Sequence, residues 1–389
     1  MRDALGLGTV LGYCTNVHAG AGADAMFANL RSHALGVKQR VAPHRPMGVG
    51  LWLSARAASE LLRDRRVPEV RDFLLSHGLL PFTFNGFPHG DFHEPVVKHR
   101  VYHPAWDRPE RLAYTLDLAR ILAELLEPGD EGSISTLPLG WRGELDGAGY
   151  ARCVEQLREL AVELDRLEER TGRSVHVDLE PEPGCVLDRA GDVVKLFERL
   201  GEASAVRRRL RVCHDICHSA VMFEPQREAF AAYRDAGVLV GKVQVSSAVR
   251  LDFEALDAPA RVRALNELRA FDERRYLHQT CVCAAEGGPV SFFEDLPLAL
   301  RSAGDAPRGE WRVHFHVPLH IASFGSIGTT QADVVEALRE AVVGGGVRHF
   351  EAETYAWGVL PEPMRSPTLS AGIADELAWL MGVGAGAAR

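Results

Sequence analysis

His176-Val177-Asp178-Leu179-Glu180 carries a pattern that few soluble surfaces would accept. Side chains alternate along an extended chain, so residues two apart share a face. His176, Asp178 and Glu180 fall on one face, and Val177 and Leu179 fall on the other. Three further runs have the same character: Val212-Cys213-His214-Asp215, Lys242-Val243-Gln244-Val245-Ser246 and His349-Phe350-Glu351-Ala352-Glu353. Polar groups inside an enzyme-sized domain are costly unless something pairs with them. Four such strands meeting at one point would supply Glu180, Asp215, Gln244 and Glu353. That oxygen-rich set suits a hard or borderline divalent cation.

Outward from these runs the chain alternates apolar strands with amphipathic segments. Strands are expected at 11–16, 48–53, 82–87, 133–137, 175–180, 211–215, 242–246 and 349–353. Helices are expected at 23–37, 55–77, 109–126, 147–171, 190–200, 226–236 and 331–343. Parallel neighbours need a long crossover, so this alternation predicts a parallel sheet. Eight units of it predict a single closed (β/α)8 TIM barrel over residues 1–389. The rhythm breaks once, between residues 246 and 349. Residues 251–325 are therefore read as a His-rich insertion, a lid over the C-terminal face where barrel active sites sit. Tyr276–Cys283 and Trp311–Leu319 are strand-like within it and suggest a hairpin. The alternative is that residues 312–318 are themselves a barrel strand. The Gly- and Ala-rich end, Met381–Arg389, is expected to fray.

The chain has 389 residues, 46% hydrophobic and 25% charged, with a formal net charge of −9. An acidic balance argues against nucleic acid as a partner. No stretch approaches the roughly 20 apolar residues of a membrane span. The N-terminus lacks the pattern of a secretory signal, so a cytoplasmic location is expected. Seven cysteines without tight paired spacing read as reduced thiols. Cys213-x3-Cys217 alone is a weak zinc signal. No Gly-x-Gly-x-x-Gly follows a strand, and neither a Walker-type loop nor a Gly-x-Ser-x-Gly elbow occurs.

Three carboxylates and one amide oxygen suit Mg2+, Mn2+ or Co2+, with Zn2+ as a further candidate. A lone acid at a strand end is more often a cap for the next helix. Four at equivalent strand ends favour a site. Glu351 and Glu353 share a face, and Glu353 is preferred because it lies nearer the strand's C-terminal end. Lys242 shares a face with Gln244. It either reaches inward to pair with the acids or is solvated at the barrel's bottom. Asn16, Trp52, Asn85 and Phe87 lie near the ends of early strands, where Asn85 could contact a small substrate. Trp52 is more often core than contact.

Leu179-Glu180-Pro181, Asp215-x-x-His218, Val243-Gln244-Val245 and the final strand Glu together resemble the xylose isomerase-like TIM barrel superfamily. It includes hydroxypyruvate isomerases and ketose 3-epimerases. The resemblance implies a metal held by Glu180, Asp215, Gln244 and Glu353. It also implies that Glu180 and Glu353 act as acid and base on opposite faces of the substrate. Gln244 and Arg250 are similar to the hydroxypyruvate isomerase variant, which implies a substrate-facing Arg250. Pairing of two barrels into a homodimer is also implied. Tyr13-Cys14-Thr15-Asn16-Val17-His18, residues 49–54, Phe84-Asn85-Gly86-Phe87-Pro88, residues 314–319 and Glu353-Thr354-Tyr355-Ala356-Trp357 resemble the EboE family. That family is named for metabolite traffic, and the name implies no reaction.

His18 follows the first strand and could face the pocket. His218 stands where superfamily members carry a His beside metal and substrate. His278, His314, His316 and His320 lie in or beside the insertion. Substrate contact ranks first for these histidines, packing second and an additional metal third. Expected substrate-binding residues are therefore His18, Asn85, His218, Arg250 and His316. The expected function is a metal-dependent isomerase or epimerase of a small hydroxy-carbonyl metabolite in secondary metabolism. A non-catalytic metabolite-binding protein of the EboE type is the alternative. An endonuclease IV-like nuclease is third, disfavoured by the acidic charge.

Overall fold

A computed structural model describes residues 5–6, 8–285, 287–304, 306–344 and 346–387. Eight parallel strands close into a barrel. In chain order they are β1 (Val10–Cys14), β2 (Met47–Trp52), β3 (Leu79–Asn85), β4 (Glu131–Thr136), β5 (Ser174–Leu179), β6 (Leu210–Asp215), β7 (Val240–Val245) and, after a second sheet, β14 (His349–Ala352). Spatial order follows chain order, and β14 closes the ring between β7 and β1. Each expected strand lies within three residues of an observed one. The outer faces of the strands are largely apolar: Val177, Leu179, Val212, Val243, Val245 and Phe350 are wholly buried beneath the helices. Burial of each such side chain contributes roughly 1.5–3 kcal/mol.

The inner face is unusual. Barrel interiors are typically layered with bulky branched side chains. Here the bore holds His176, Asp178, Lys242, Glu351 and His349, all buried. Glycines make room for them. A Cβ on Gly50 would fall 1.4 Å from Glu351 Oε1, and one on Gly241 would fall 2.4 Å from Asp178 Oδ1. At the lower end His349 Nδ1 lies 2.8 Å from Ser133 Oγ, and the His349 ring lies parallel to His176 with centroids 5.8 Å apart.

Between β7 and β14 the chain builds an antiparallel sheet rather than a hairpin. Its strands are β8 (Val249–Asp252), β9 (Thr280–Cys283), β10 (Val290–Phe293), β11 (Glu310–Val313), β12 (Ser323–Phe324) and β13 (Ile327–Thr329). Their spatial order is β10-β9-β11-β8-β13-β12. Residues 310–313 pair with β8 and β9 and take no part in the barrel. The strand-like reading of 276–283 and 311–319 extended too far. Residues 276–279 and 314–319 lie outside the strands, although His314 N still donates to Gln279 O at 2.8 Å.

Two helical expectations also change. The helix expected over 55–77 is two, Ala55–Arg63 and Val67–Ser76. Arg65 takes a positive φ of 54°, and Pro68 opens the second helix. The expected fraying end is helical through Ala387, in the helix Leu369–Ala387, and Ala388 and Arg389 lie outside the described residues. Its small residues allow close packing, since a Cβ on Gly384 would lie 2.4 Å from Leu5 Cδ2. No helix among the described residues is long and apolar enough to cross a membrane.

Candidate metal centre and substrate cup

Three barrel strands, β5, β6 and β14, bring carboxylates to one point at their C-terminal ends. β5 ends in Leu179, and the next amide, Glu180 N, still donates to Thr136 O at 3.0 Å. Glu353 N likewise donates to Val245 O at 3.0 Å. These bonds extend the barrel ladder one residue past the strand and fix both glutamates at its C-terminal rim. Asp215 and Gln244 are register partners across β6 and β7. Carboxylate oxygens of Glu180, Asp215 and Glu353 lie within 4.8 Å of one another, all buried.

Glu353 and Asp215 are each braced by protein through one carboxylate oxygen. Glu353 Oε1 accepts from Asn16 Nδ2 at 2.6 Å and from Asn85 Nδ2 at 2.8 Å. Asp215 Oδ1 accepts from Ser246 Oγ at 2.7 Å and from His218 N at 3.0 Å. Asp215 thus does cap the short helix Ile216–Val221, as a strand-end acid commonly would. Its Oδ2 has no hydrogen-bond partner, nor has Glu180 Oε2, nor has either amide atom of Gln244. Leaving a buried polar atom unpaired costs about 1–3 kcal/mol. Burial and the neighbouring Glu353 and Asp215 charges hold Glu180 well above the usual carboxylate range. Burial, then Asp215 and Glu351, do the same to Glu353. Acids that raise one another in this way are relieved by a cation. The oxygen donor set and its orphaned atoms fit a divalent ion.

Above the acids opens a cup. Its floor includes Glu180, Glu353, His218, His314 and His316, and its wall includes Phe87, Phe92, Tyr102, Tyr276 and Tyr355. Burial lowers His218 to about 3 and His316 to about 4, so both rings are neutral near pH 7. Glu182 also faces the cup and accepts from Tyr102 Oη at 2.8 Å and Gln279 Nε2 at 2.9 Å. Burial lifts Glu182 to about 7 despite those two donors.

Asn85, His218 and His316 therefore line the cup together with Glu180 and Glu353. His18 and Arg250 are not brought to it. The His18 ring lies 4.5 Å from that of His33 and lines a separate small cavity with Trp52. The segment Thr15–Val17 turns as a 3-10 helix and carries His18 away from the barrel axis. Arg250 lies on β8 and pairs at 2.7 Å with Glu310, with 45% of its side chain exposed. The second sheet begins at Val249, so Arg250 belongs to a different surface from the barrel rim. Glu182, Tyr276 and Tyr355 line the cup although no sequence expectation names them as site residues. Glu182 follows Pro181 beyond the strand, where alternation no longer assigns a face. The others reach the cup only through folding of the second sheet and the β14 loop.

Lys242 does turn inward: its Nζ lies 2.6 Å from Glu351 Oε2, with both side chains wholly buried. Glu351 thereby serves the lysine in the bore, one step below Glu353.

No family model and no curated protein matches the chain. Among solved structures it is similar to a xylose isomerase-like TIM barrel protein from Mycobacterium smegmatis in complex with magnesium, with TM-score 0.55, 13% identity and 100% of both chains covered. It also matches the 3-keto-D-glucoside 4-epimerase of E. coli, with TM-score 0.47, 13% identity, 96% of this chain and 99% of that one. A third match is IOLI protein with a bound zinc atom, with TM-score 0.49, 10% identity, 97% of this chain and 98% of that one. Identities this low speak to fold alone: the chain is a (β/α)8 barrel, similar in fold to a xylose isomerase-like TIM barrel protein.

Proposed function

We propose that this chain is a divalent-metal-dependent isomerase or epimerase of a small hydroxy-carbonyl compound. The observation that carries the reading is the meeting of Glu180, Asp215 and Glu353 at the barrel's C-terminal rim, beside a Gln244 amide with no partner. A divalent ion held there supplies Lewis-acid polarisation of adjacent carbonyl and hydroxyl oxygens. Glu180 takes a proton from the carbon next to the carbonyl, and Glu353 returns one from the other side. Asn16 and Asn85 hold the Glu353 carboxylate in place through its Oε1. The aromatic wall excludes water from the reacting carbon.

The test is solvent deuterium exchange. The Mn2+-loaded protein is incubated in D2O with a panel of ketoses, keto-glycosides and 2-hydroxy-ketones, and carbon-bound deuterium is followed by NMR. Exchange that disappears in Glu180→Gln and in Glu353→Gln supports the reading. Exchange unaltered in both variants would sink it.

A second reading, a non-catalytic metabolite-binding protein of the EboE type, draws on the cup's wall. Phe87, Phe92, Tyr102, Tyr276 and Tyr355 offer more stacking surface than a small polyhydroxy compound needs. Tight binding of an aromatic metabolite by the metal-loaded protein, with no conversion and no exchange, favours this reading over the first.

A further inference from the structure

Residues 86–104, between β3 and the helix Pro109–Leu125, run along one side of the cup and supply Phe87, Phe92, Val97 and Tyr102 to its wall. The two sides of this strap are held in different ways. At its base the Arg111 guanidinium, wholly buried, donates from Nε to Pro104 O at 2.8 Å. Its Nη1 donates to Gly86 O and to Phe87 O, each at 3.0 Å. One side chain thus ties the first and last residues of the strap together. Tyr114 Oη and Trp52 Nε1 both donate to Pro88 O, at 3.2 and 3.0 Å, and hold the next step. These bonds are shielded from water, where losing a partner is costly.

The far side meets the second-sheet region through contacts of another kind. Val97 N and Lys98 N both donate to Arg275 O, at 2.8 and 3.0 Å. Lys98 Nζ pairs with Asp295 at 2.5 Å, with 25% and 17% of the two side chains exposed. His99 Nε2 lies 3.1 Å from Glu294 Oε1. Ion pairs that reach water contribute little and are screened by salt. Lys98 also takes a positive φ of 43°, a strained conformation for a lysine. Between the two sides Phe92 rests on Tyr276 and Tyr355, with ring centroids 4.9 and 5.3 Å apart. Glu180 and Glu353 on the cup's floor are 3% and 5% exposed, so a substrate needs an opening in the wall to reach them. We infer that residues 88–103 form a lid on the cup, anchored at Arg111 and latched by Lys98 on Asp295. Release of the latch lets the strap swing on its anchored base and admits substrate.

The inference takes the cup as the substrate's site, but its test needs neither metal nor turnover. Leu277 lines the cup from outside the strap, and Leu277→Cys in the full chain serves as a reporter. Labelling of the new thiol by DTNB is timed by absorbance. The seven native thiols are buried, and the wild type gives their background rate. Adding Lys98→Met or Asp295→Asn is expected to speed labelling about two- to fivefold. Asn keeps the cap that Asp295 gives the helix Leu296–Ala303, so only the charge is removed. Salt at about 1 M should speed labelling of Leu277→Cys but not of the Leu277→Cys, Lys98→Met double variant. Amide hydrogen exchange on the same proteins should rise over residues 88–103 and stay unchanged over 109–125. Labelling that ignores both latch variants and salt overturns the lid. Exchange that rises equally over 109–125 also overturns it, because that reports general loosening. A chain that fails the deuterium test of turnover can still pass this one, and the reverse holds, so the two readings fall separately.

Discussion

Lys242 Nζ sits 2.6 Å from Glu351 Oε2 inside the barrel, where neither side chain meets solvent. Burial alone would lower the lysine's pKa, but the Glu351 charge outweighs it and the amine is held above its ordinary value. Removing one partner strands a charge in the bore. Lys242→Met and Glu351→Gln are each expected to cost about 3–5 kcal/mol, read from urea unfolding. The double variant should cost clearly less than the sum of the two. Additive costs would mean that the pair is not coupled.

Gly50 is the space that Glu351 occupies. A Cβ there would lie 1.4 Å from Glu351 Oε1 and 3.0 Å from Thr83 Cγ2. Gly50→Ala should destabilise by about 3 kcal/mol, the upper end of ordinary overpacking, or abolish folding. Gly191, in the helix Ala190–Leu200, has nothing within 4 Å of a built Cβ. Gly191→Ala should stabilise by about 0.5–1 kcal/mol. A mild Gly50→Ala would show that the bore has slack.

Metal should stabilise the fold through the rim acids. A ligand at a hundredfold excess over its Kd adds about 2.7 kcal/mol. Thermal melts with Mn2+ should therefore rise by several degrees, and a chelator should reverse the rise. In Glu180→Gln and Asp215→Asn most of the shift should vanish. An equal Mn2+ shift in these variants would place the ion elsewhere.

Glu376 links two loops that carry cup residues. Its Oε1 accepts from Thr354 Oγ1 at 2.5 Å and from Leu319 N at 3.1 Å, and its Oε2 accepts from Trp357 Nε1 at 3.3 Å. Burial lifts it from an ordinary value near 4.5 to about 7, against those donors. Folding therefore favours the protonated acid. That stabilisation is complete below about 4.5 and is lost as pH rises through about 7. Glu376→Gln fixes the neutral form. Between pH 4 and 8 the wild type should lose about 3 kcal/mol relative to the variant, at about 1.36 kcal/mol per pKa unit. A stability difference that stays flat with pH would contradict this.

Alternation and register made the barrel legible from sequence. Val177 and Leu179 against Asp178 and Glu180 assign faces by a period of two, and that period survives any tertiary context that keeps the strand. The same logic named Glu180, Asp215, Gln244 and Glu353, because each ends a strand that must pair in the barrel. It left Lys242 open, since a face is not a partner.

What only tertiary structure decided lies off the strands. Pro181 and the turn at Thr15–Val17 break the alternation, so sequence could neither bring Glu182 to the cup nor take His18 away from it. The residues between β7 and β14 read as strand-like pieces rich in histidine, but their pairing is antiparallel and non-local. That pairing brings His314 and His316 to the rim and leaves Arg250 on a salt bridge at the surface. Periodicity fixes which way a side chain points on its own strand. Which distant groups it then meets depends on loop closure and packing, and neither is written in local pattern.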